Sequence, residues 1–387
     1  MDKDTIIHVL NGDLPFHTLG KSENIIKFST YPHFLLIYLT KEDQRTRYID
    51  LFAKYHFTSY YITKPAIHHL PFLCKLLLMF KRDPLTPPLN DLVFFLLRFR
   101  TNRILFHGYF FTQFIVCLIV LKQFKNVNWI CWGPMLRKAV SDNCNIRDMI
   151  NNWFIKAAYK QFNSVICLLK CDKDELESNF SLKNVFLGPY GIDYTAFCQE
   201  YSDIISSMKP NRRPRILVGN SAHLVDDYIA FIEGIETFPS DVEFTFMMNY
   251  GMNSHMEKVI YLKQILKEKK INYFFWDKTE SHKIYIQKIS QFDVYVCPAQ
   301  YQSGLGAIYN MLFLGKAVYA AGYNLQWVLQ CGFTSVNVIG KFLPDIMHHR
   351  KFIPDPAIVT ENRNLLISLM DPARSVRRHE EIVFRST

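Results

Sequence analysis

Residues 215–221 read Arg-Ile-Leu-Val-Gly-Asn-Ser, a short apolar run followed by a turn. The run Arg215–Val218 is typical of a buried strand, and 219–221 is typical of the loop that leaves one. The preceding stretch, 209–214, is polar, basic and proline-bearing, as linkers between domains are. Because strand-then-helix alternation runs up to this linker and restarts after it, the sequence predicts two α/β domains.

Each predicted domain alternates apolar runs with helical patterns, which indicates a parallel sheet with right-handed crossovers. We predict strands at 6–10, 34–39, 104–106, 127–131, 164–169 and 184–187, and then at 215–218, 243–248, 272–276, 294–296 and 317–320. Residues 1–208 are assigned to the first domain, 209–353 to the second domain, and 354–387 to helices that pack over both. The predicted fold class is α/β, with two Rossmann-like, doubly wound parallel sheets facing each other across a cleft.

The positive charge is concentrated in one stretch of the chain. The 387 residues carry a formal net charge of +10, and residues 51–150 hold 13 Lys and Arg against 4 Asp and Glu. Residues 70–103 mix these cations with Phe and Leu, which favours contact with an anionic membrane surface. Two core-packing helices with solvated cations are the alternative. The chain has no recognisable nucleic-acid-binding motif, so we expect no nucleic acid as a partner.

Targeting signals and cysteines point to the cytoplasm. No secretory signal opens the chain, and the longest apolar run, 114–121, is shorter than the roughly 20 residues that a membrane span needs. The nine cysteines are odd in number and form no CxxC pair, which indicates reduced thiols. We therefore expect a cytoplasmic protein without a metal or another cofactor.

Two loops that follow strands of the second domain form the candidate donor site. Backbone amides of Gly219, Asn220 and Ser221 are expected to cradle a phosphate. Tyr250, after the next strand, is expected beside the base or the ribose. The second loop, 302–306, has only two glycines, which predicts that it binds a nucleoside diphosphate rather than NAD. The dipole of the helix that follows would favour this anion. An ordinary turn and a plain helix cap remain the alternatives. This second loop contains Gln302, Ser303, Gly304 and Gly306.

The first domain offers three candidates for the general base that takes a proton from an acceptor hydroxyl. These are Asp13, His17 and His107, which follow or end predicted strands. Asp13 also suits an ordinary turn, since Asn-Gly-Asp is favourable turn chemistry. His8 lies inside a strand, so we expect it to be a hydrogen-bonded core histidine.

Several pieces of the sequence, taken in order along the chain, resemble one family. They are 7–10 with Asp13 and His17, 106–108, Trp129 with 132–133, 216–221, 302–306, and 315–318 with Trp327. Together they are similar to the TDP-4-acetamido-4,6-dideoxygalactose (Fuc4NAc) transferases of enterobacterial common antigen synthesis, which are glycosyltransferases of the two-Rossmann GT-B type. The resemblance covers about residues 5–340, and it implies that the first domain, 1–208, binds the acceptor and the second, 209–353, binds the nucleotide sugar.

The resemblance implies a TDP-sugar donor, a lipid-diphosphate-linked saccharide acceptor, no metal, and peripheral attachment to the inner face of the bacterial inner membrane. The chain departs from the family pattern at Pro134, Met135 and Tyr301. An O-antigen transferase of lipopolysaccharide synthesis, using another deoxysugar nucleotide, therefore stays open. A nucleotide-sugar epimerase of the same architecture and a non-catalytic, degenerate transferase stay open as well.

Overall fold

The computed structural model describes most of the second half of the chain and parts of the first. The predicted acceptor-side residue Asp13, the predicted donor-side residue Tyr250 and most of the basic segment 70–103 lie outside the described residues. The described residues are 4–11, 15–38, 53, 60–62, 101–108, 126–132, 153, 156–208, 211, 213–237, 242–249, 252–347, 352 and 354–385.

The chain divides into two compact units, each with its own sheet. Unit 1 comprises residues 1–192 and 370–387, and unit 2 comprises residues 193–369. The chain therefore passes from one unit to the other twice, after Ile192 and after Leu369.

Unit 1 is built on a parallel sheet. Among the described residues, the strand order is β3-β2-β1-β4-β5-β6-β7. Parallel strands covered on both faces need apolar residues along their whole length, which is why these runs are so hydrophobic. The strands are β1 (Ile6–Asn11), β2 (His33–Tyr38), β3 (Tyr60–Ile62), β4 (Arg103–His107), β5 (Asn126–Cys131), β6 (Ser164–Cys167) and β7 (Val185–Leu187). Two helices of this part of the chain are α1 (Pro15–Phe28) and α2 (Lys170–Asn179).

Unit 2 is built on a second parallel sheet, whose order among the described residues is β10-β9-β8-β11-β12-β13. Renumbered from its first strand, this order is 3-2-1-4-5-6, that of dinucleotide-binding sheets. The strands are β8 (Arg215–Val218), β9 (Glu243–Met247), β10 (Tyr273–Trp276), β11 (Val294–Cys297), β12 (Ala317–Ala320) and β13 (Val336–Val338).

Helices alternate with these strands along the chain. In chain order they are α3 (Tyr194–Glu200), α4 (Ser202–Ser207), α5 (Val225–Glu233), α6 (Met256–Glu268), α7 (His282–Ile289), α8 (Leu305–Phe313), α9 (Gly322–Gln330), α10 (Phe342–Met347) and α11 (Pro356–Leu369). Short 3₁₀ turns at Ala222–Leu224 and Met252–His255 precede α5 and α6.

The boundary between the units falls after Ile192, and not at 208/209 as the linker-like composition of 209–214 predicted. The reason is that α3 packs within unit 2. Tyr194 stacks on Phe313 with ring centroids 4.8 Å apart, and its hydroxyl donates to Asn310 Oδ1 at 3.0 Å.

The last two helices belong to different units. α11 stays in unit 2, where the Arg363 guanidinium donates to the Phe313 carbonyl at 2.7 Å. The chain then returns to unit 1, where α12 (Pro372–Arg385) packs Ile382 and Val383 on one face of the sheet. The buried Glu380 carboxylate accepts hydrogen bonds from Ser29 and Thr30 in the loop after α1.

Candidate functional site

In both sheets the strand order reverses beside the first strand, between β1 and β4 in unit 1 and between β8 and β11 in unit 2. Ligands of doubly wound sheets bind outside the carboxyl ends of the strands at such reversals. In unit 2 this rule selects the loops after β8 and β11, which are the two loops predicted from the sequence. Val218 and Val296 are register partners, and the Gly219 amide donates to the Val296 carbonyl at 2.8 Å.

The turn after β8 is held from below by a buried tyrosine. Tyr228 Oη accepts hydrogen bonds from the amides of Asn220 at 3.0 Å and Ser221 at 3.2 Å, and donates to the Ser221 carbonyl at 2.8 Å. Gly219 has φ +64°, and a Cβ there would lie 2.0 Å from Tyr228 Oη. The prediction that these backbone amides cradle a phosphate is therefore wrong, because all three already have acceptors in the protein. What the turn offers is the Asn220 side chain.

A hydrogen-bonded network joins this turn to the loop after β11. Ser303 Oγ donates to Asn220 Oδ1 at 3.2 Å. The buried Asn324 of α9 fixes the same serine, since its Nδ2 donates to the Ser303 carbonyl at 2.6 Å and its Oδ1 accepts from the Ser303 amide at 3.3 Å. The neighbouring Gln302 is buried as well. The predicted donor-site residues of the two loops therefore come together.

The start of α8 is the candidate anion-binding element of this site. Its N-cap is Gly304, with φ +74° and no side-chain cap. The first amides of a helix have no intrahelical acceptor, and the helix dipole favours an anion there. A Cβ on Gly306 would meet nothing within 4 Å, so open space adjoins these amides. Behind Gly304 lies the buried Tyr295, and a Cβ on Gly304 would lie 3.0 Å from its Oη.

Two further features of unit 2 lie near the two edges of its sheet. His223, shortly after β8, and His255, after β9, place Nδ1 and Nε2 3.1 Å apart, and sequence analysis did not single them out. By contrast, shallow cavities of unit 2 lie at the opposite edge, lined by the strand-initial residues Arg215, Glu243 and Tyr273. That edge carries the amino ends of the strands, where no ligand is expected.

In unit 1, the predicted base His107 is buried at the end of β4. Its Nε2 lies 3.0 Å from Nδ1 of His8, and its Nδ1 lies 3.2 Å from Tyr190 Oη. Burial, and then the charges of neighbours including Lys21, lower the pKa of His107, so the ring is neutral at pH 7. With both nitrogens engaged and a charge disfavoured, His107 is poorly suited to take a proton from a substrate. The expectation that His8 is a hydrogen-bonded core histidine is confirmed.

The same edge of unit 1 carries an aromatic and cationic cluster. Trp132, directly after β5, donates from Nε1 to Tyr190 Oη at 3.4 Å. The Lys21 ammonium of α1 lies 4.1 Å from the Trp132 ring centroid and 3.9 Å from that of Tyr190. Gly108, at φ +83°, makes room for the indole, since a Cβ there would lie 2.5 Å from Trp132 Cε2. Sequence analysis missed Lys21 because the helix that carries it was not predicted.

The remaining predicted base lies in α1. His17 is in the first turns of this helix, although the position of its side chain is not described. Among the described residues, no group of three His, Cys, Asp or Glu side chains is placed to hold a metal ion. In the same part of the chain, no helix is both long enough and apolar enough to cross a membrane.

No family model matches the chain, and no curated protein is similar to it in sequence. Its fold, however, resembles many solved structures. Sucrose-phosphate synthase from Thermosynechococcus elongatus has a TM-score of 0.64 at 12% identity, over 99% of this chain and 100% of that one. HepE from Anabaena, in complex with UDP and glucose, has a TM-score of 0.61 at 10% identity, over 97% and 98%. UDP-GlcNAc 2-epimerase from Neisseria meningitidis, bound to UDP-GlcNAc, has a TM-score of 0.50 at 12% identity, over 98% and 100%. The predicted fold class, α/β with two Rossmann-like domains of GT-B type, is confirmed.

Proposed function

We propose that this protein is a glycosyltransferase that takes its sugar from a nucleoside diphosphate donor. The observation that carries the proposal is the arrangement at the strand-order reversal of unit 2. There the start of α8 is uncapped and faces open space at Gly306, next to the joined side chains of Asn220 and Ser303. Similar folds whose solved structures hold UDP and glucose, or UDP-GlcNAc, support a donor of this class.

The chemistry follows from what such a site stabilises. An acceptor hydroxyl attacks the anomeric carbon, the bond to the diphosphate breaks, and negative charge grows on the leaving oxygen. Amides and a helix dipole fixed in advance at the start of α8 stabilise that charge at no cost in reorganisation. The hydroxyl proton goes to a base, for which Asp13 and His17 stay the predicted candidates, while the geometry of His107 argues against it.

The finer proposal is a TDP-deoxysugar donor, Fuc4NAc or a close relative, and a lipid-diphosphate-linked saccharide acceptor. It rests on the ordered resemblance described above and on the basic, aromatic segment 70–103, which suits an anionic membrane at the cytoplasmic face. The biosynthetic process that we propose is the synthesis of enterobacterial common antigen or of O-antigen.

A thermal-shift screen with dTDP, UDP, GDP and their common sugars, without added metal, tests the proposal. A ligand at 100 times its dissociation constant stabilises the folded protein by about 2.7 kcal/mol. We expect a selective dTDP shift. A shift with UDP or GDP alone would retain the transferase and remove the TDP assignment. Folded protein that responds to no nucleotide would contradict the donor site and favour a non-catalytic role.

An epimerase is the second candidate, favoured by the likeness to UDP-GlcNAc 2-epimerase. It requires carboxylates that remove a proton from the sugar, and the described loops after β8 and β11 present amide and hydroxyl groups instead. Incubation of the bound nucleotide sugar without an acceptor separates the two, because only an epimerase converts the sugar under those conditions.

A further inference from the structure

The ammonium of Lys21 occupies an unusual position at the carboxyl edge of the sheet in unit 1. It lies over two aromatic rings, Trp132 after β5 and Tyr190 after β7, at 4.1 and 3.9 Å from their centroids. All three residues keep part of their surface exposed. The cluster therefore faces the region where a sheet of this topology binds its ligand.

No described carboxylate forms an ion pair with Lys21, whereas Lys27 on the same helix pairs with Glu23 at 3.1 Å. The described titratable groups near Lys21 include His107, His379 and the hydroxyl of Tyr190, and burial favours the neutral form of each. Burial lowers the pKa of Lys21, because its charged form has lost part of its hydration. Attraction to two aromatic rings recovers only part of that loss, so an incoming anion would gain from the uncompensated charge.

We propose that Lys21, held over Trp132 and Tyr190, binds a phosphate group carried by the acceptor. The inference deepens the proposed function and rests on it, since it assigns the acceptor to unit 1. A lysine ammonium, a point charge with three donors, is a common phosphate-binding group, and a phosphate on the acceptor would bring an anion to this edge of the sheet. Two acceptors offer this chemistry: a lipid diphosphate and a sugar phosphate.

Calorimetric titration of the full-length protein with farnesyl diphosphate, glucose 6-phosphate and farnesol tests the inference. Lys21→Met removes the charge and keeps most of the stem, Lys21→Arg keeps the charge, and Lys27→Met is the matched control on the same helix. We expect Lys21→Met to weaken binding of one phosphate probe about tenfold or more, as loss of a charge-assisted hydrogen bond does. Lys27→Met should stay within about threefold of wild type, and Lys21→Arg, which keeps the charge, should bind the phosphate probe more tightly than Lys21→Met. The probe that responds identifies the source of the phosphate.

Unchanged affinity for both phosphate probes in Lys21→Met, or an equal loss in Lys27→Met, would overturn the inference. So would farnesol binding that falls as much as farnesyl diphosphate binding, because farnesol has no phosphate. UDP titrated into the same samples reports the donor site separately. If UDP binds wild type and Lys21→Met equally while the phosphate probes do not discriminate, the inference fails and the proposed function stands.

A measurement on wild type keeps the test independent of how Lys21→Met folds. The positive charge of Lys21 contributes to the lowered pKa of His107. A phosphate bound to Lys21 offsets that charge, so saturating probe should raise the pKa of His107 in an NMR titration. If the pKa of His107 does not change when the probe is bound, the phosphate does not bind at Lys21.

Discussion

Gly306→Ala separates stability from nucleotide binding at the start of α8. Gly306 is the second residue of the helix, and a Cβ there would meet no heavy atom within 4 Å. Alanine is the better helix former and also restricts the unfolded chain. We expect the variant to be more stable by about 0.5 kcal/mol, which in a unit of this size raises the melting temperature by about 1–2 °C.

If a diphosphate binds at the start of α8 as proposed, the same methyl group occupies space that it needs. A tenfold loss of affinity corresponds to about 1.4 kcal/mol. At a nucleotide concentration 100 times the wild-type dissociation constant, ligand stabilisation is about 2.7 kcal/mol for wild type and about 1.4 kcal/mol for a variant that binds tenfold more weakly. Thermal-shift titration should therefore show a more stable apoprotein whose response to nucleotide is halved.

Gly304→Ala is the control, because it disturbs the same loop in a different way. Gly304 has φ +74°, and its Cβ would approach Asn220 Oδ1 and Tyr295 Oη at 3.0 Å. A left-handed conformation costs an alanine about 1–2 kcal/mol, so this variant should lose stability as well as affinity. A full nucleotide response in Gly306→Ala would refute the reasoning, since the diphosphate would then not lie at the start of α8.

Three further predictions concern buried groups that stabilise one of the two units from within. Tyr228→Phe leaves the amides of Asn220 and Ser221 without their acceptor, and urea unfolding should show a loss of about 2–4 kcal/mol; a loss below about 1 kcal/mol would contradict the role of the hydroxyl. Glu380→Ala should destabilise unit 1 by about 2–4 kcal/mol in the same assay, with Glu380→Gln intermediate, and a Glu380→Gln variant as stable as wild type would exclude a contribution from the charge. Burial lowers the pKa of His379 to about 4, so the unfolded chain binds a proton below about pH 6.5 that the folded protein does not. Stability should consequently fall by about 3 kcal/mol from this residue as the pH drops from 6.5 to 4, and His379→Gln should flatten the measured profile.

Local sequence patterns were sufficient to predict most of the strands. The stretch 317–320 was predicted as a strand and forms β12, because four small or apolar residues between a helix and a glycine-bearing turn have few alternatives. The helix predicted at 253–269 forms α6, preceded by a 3₁₀ turn at Met252–His255. The strands β3 and β13 were missed.

Features that depend on distant residues were not predictable in the same way. Nothing in the turn after β8 shows that a hydroxyl seven or eight residues later will take its amides, because that depends on how α5 packs beneath it. α1 was missed although it carries Lys21, and the contact of Lys21 with Trp132 and Tyr190 joins three segments far apart in the chain. The residues of a site can often be predicted from the sequence. The distant groups that already form hydrogen bonds with them cannot.

The two crossings of the chain have a consequence for synthesis on the ribosome. All of unit 2 lies between the main part of unit 1 and α12, which supplies Ile382 and Val383 to one face of the first sheet and Glu380 to the loop after α1. A nascent chain therefore has every residue of unit 2 available before unit 1 has its last helix. Domains usually complete folding in the order in which they are translated. Here the later-translated unit can finish folding first. The earlier unit lacks the contacts of Ile382, Val383 and Glu380 until α12 has been translated.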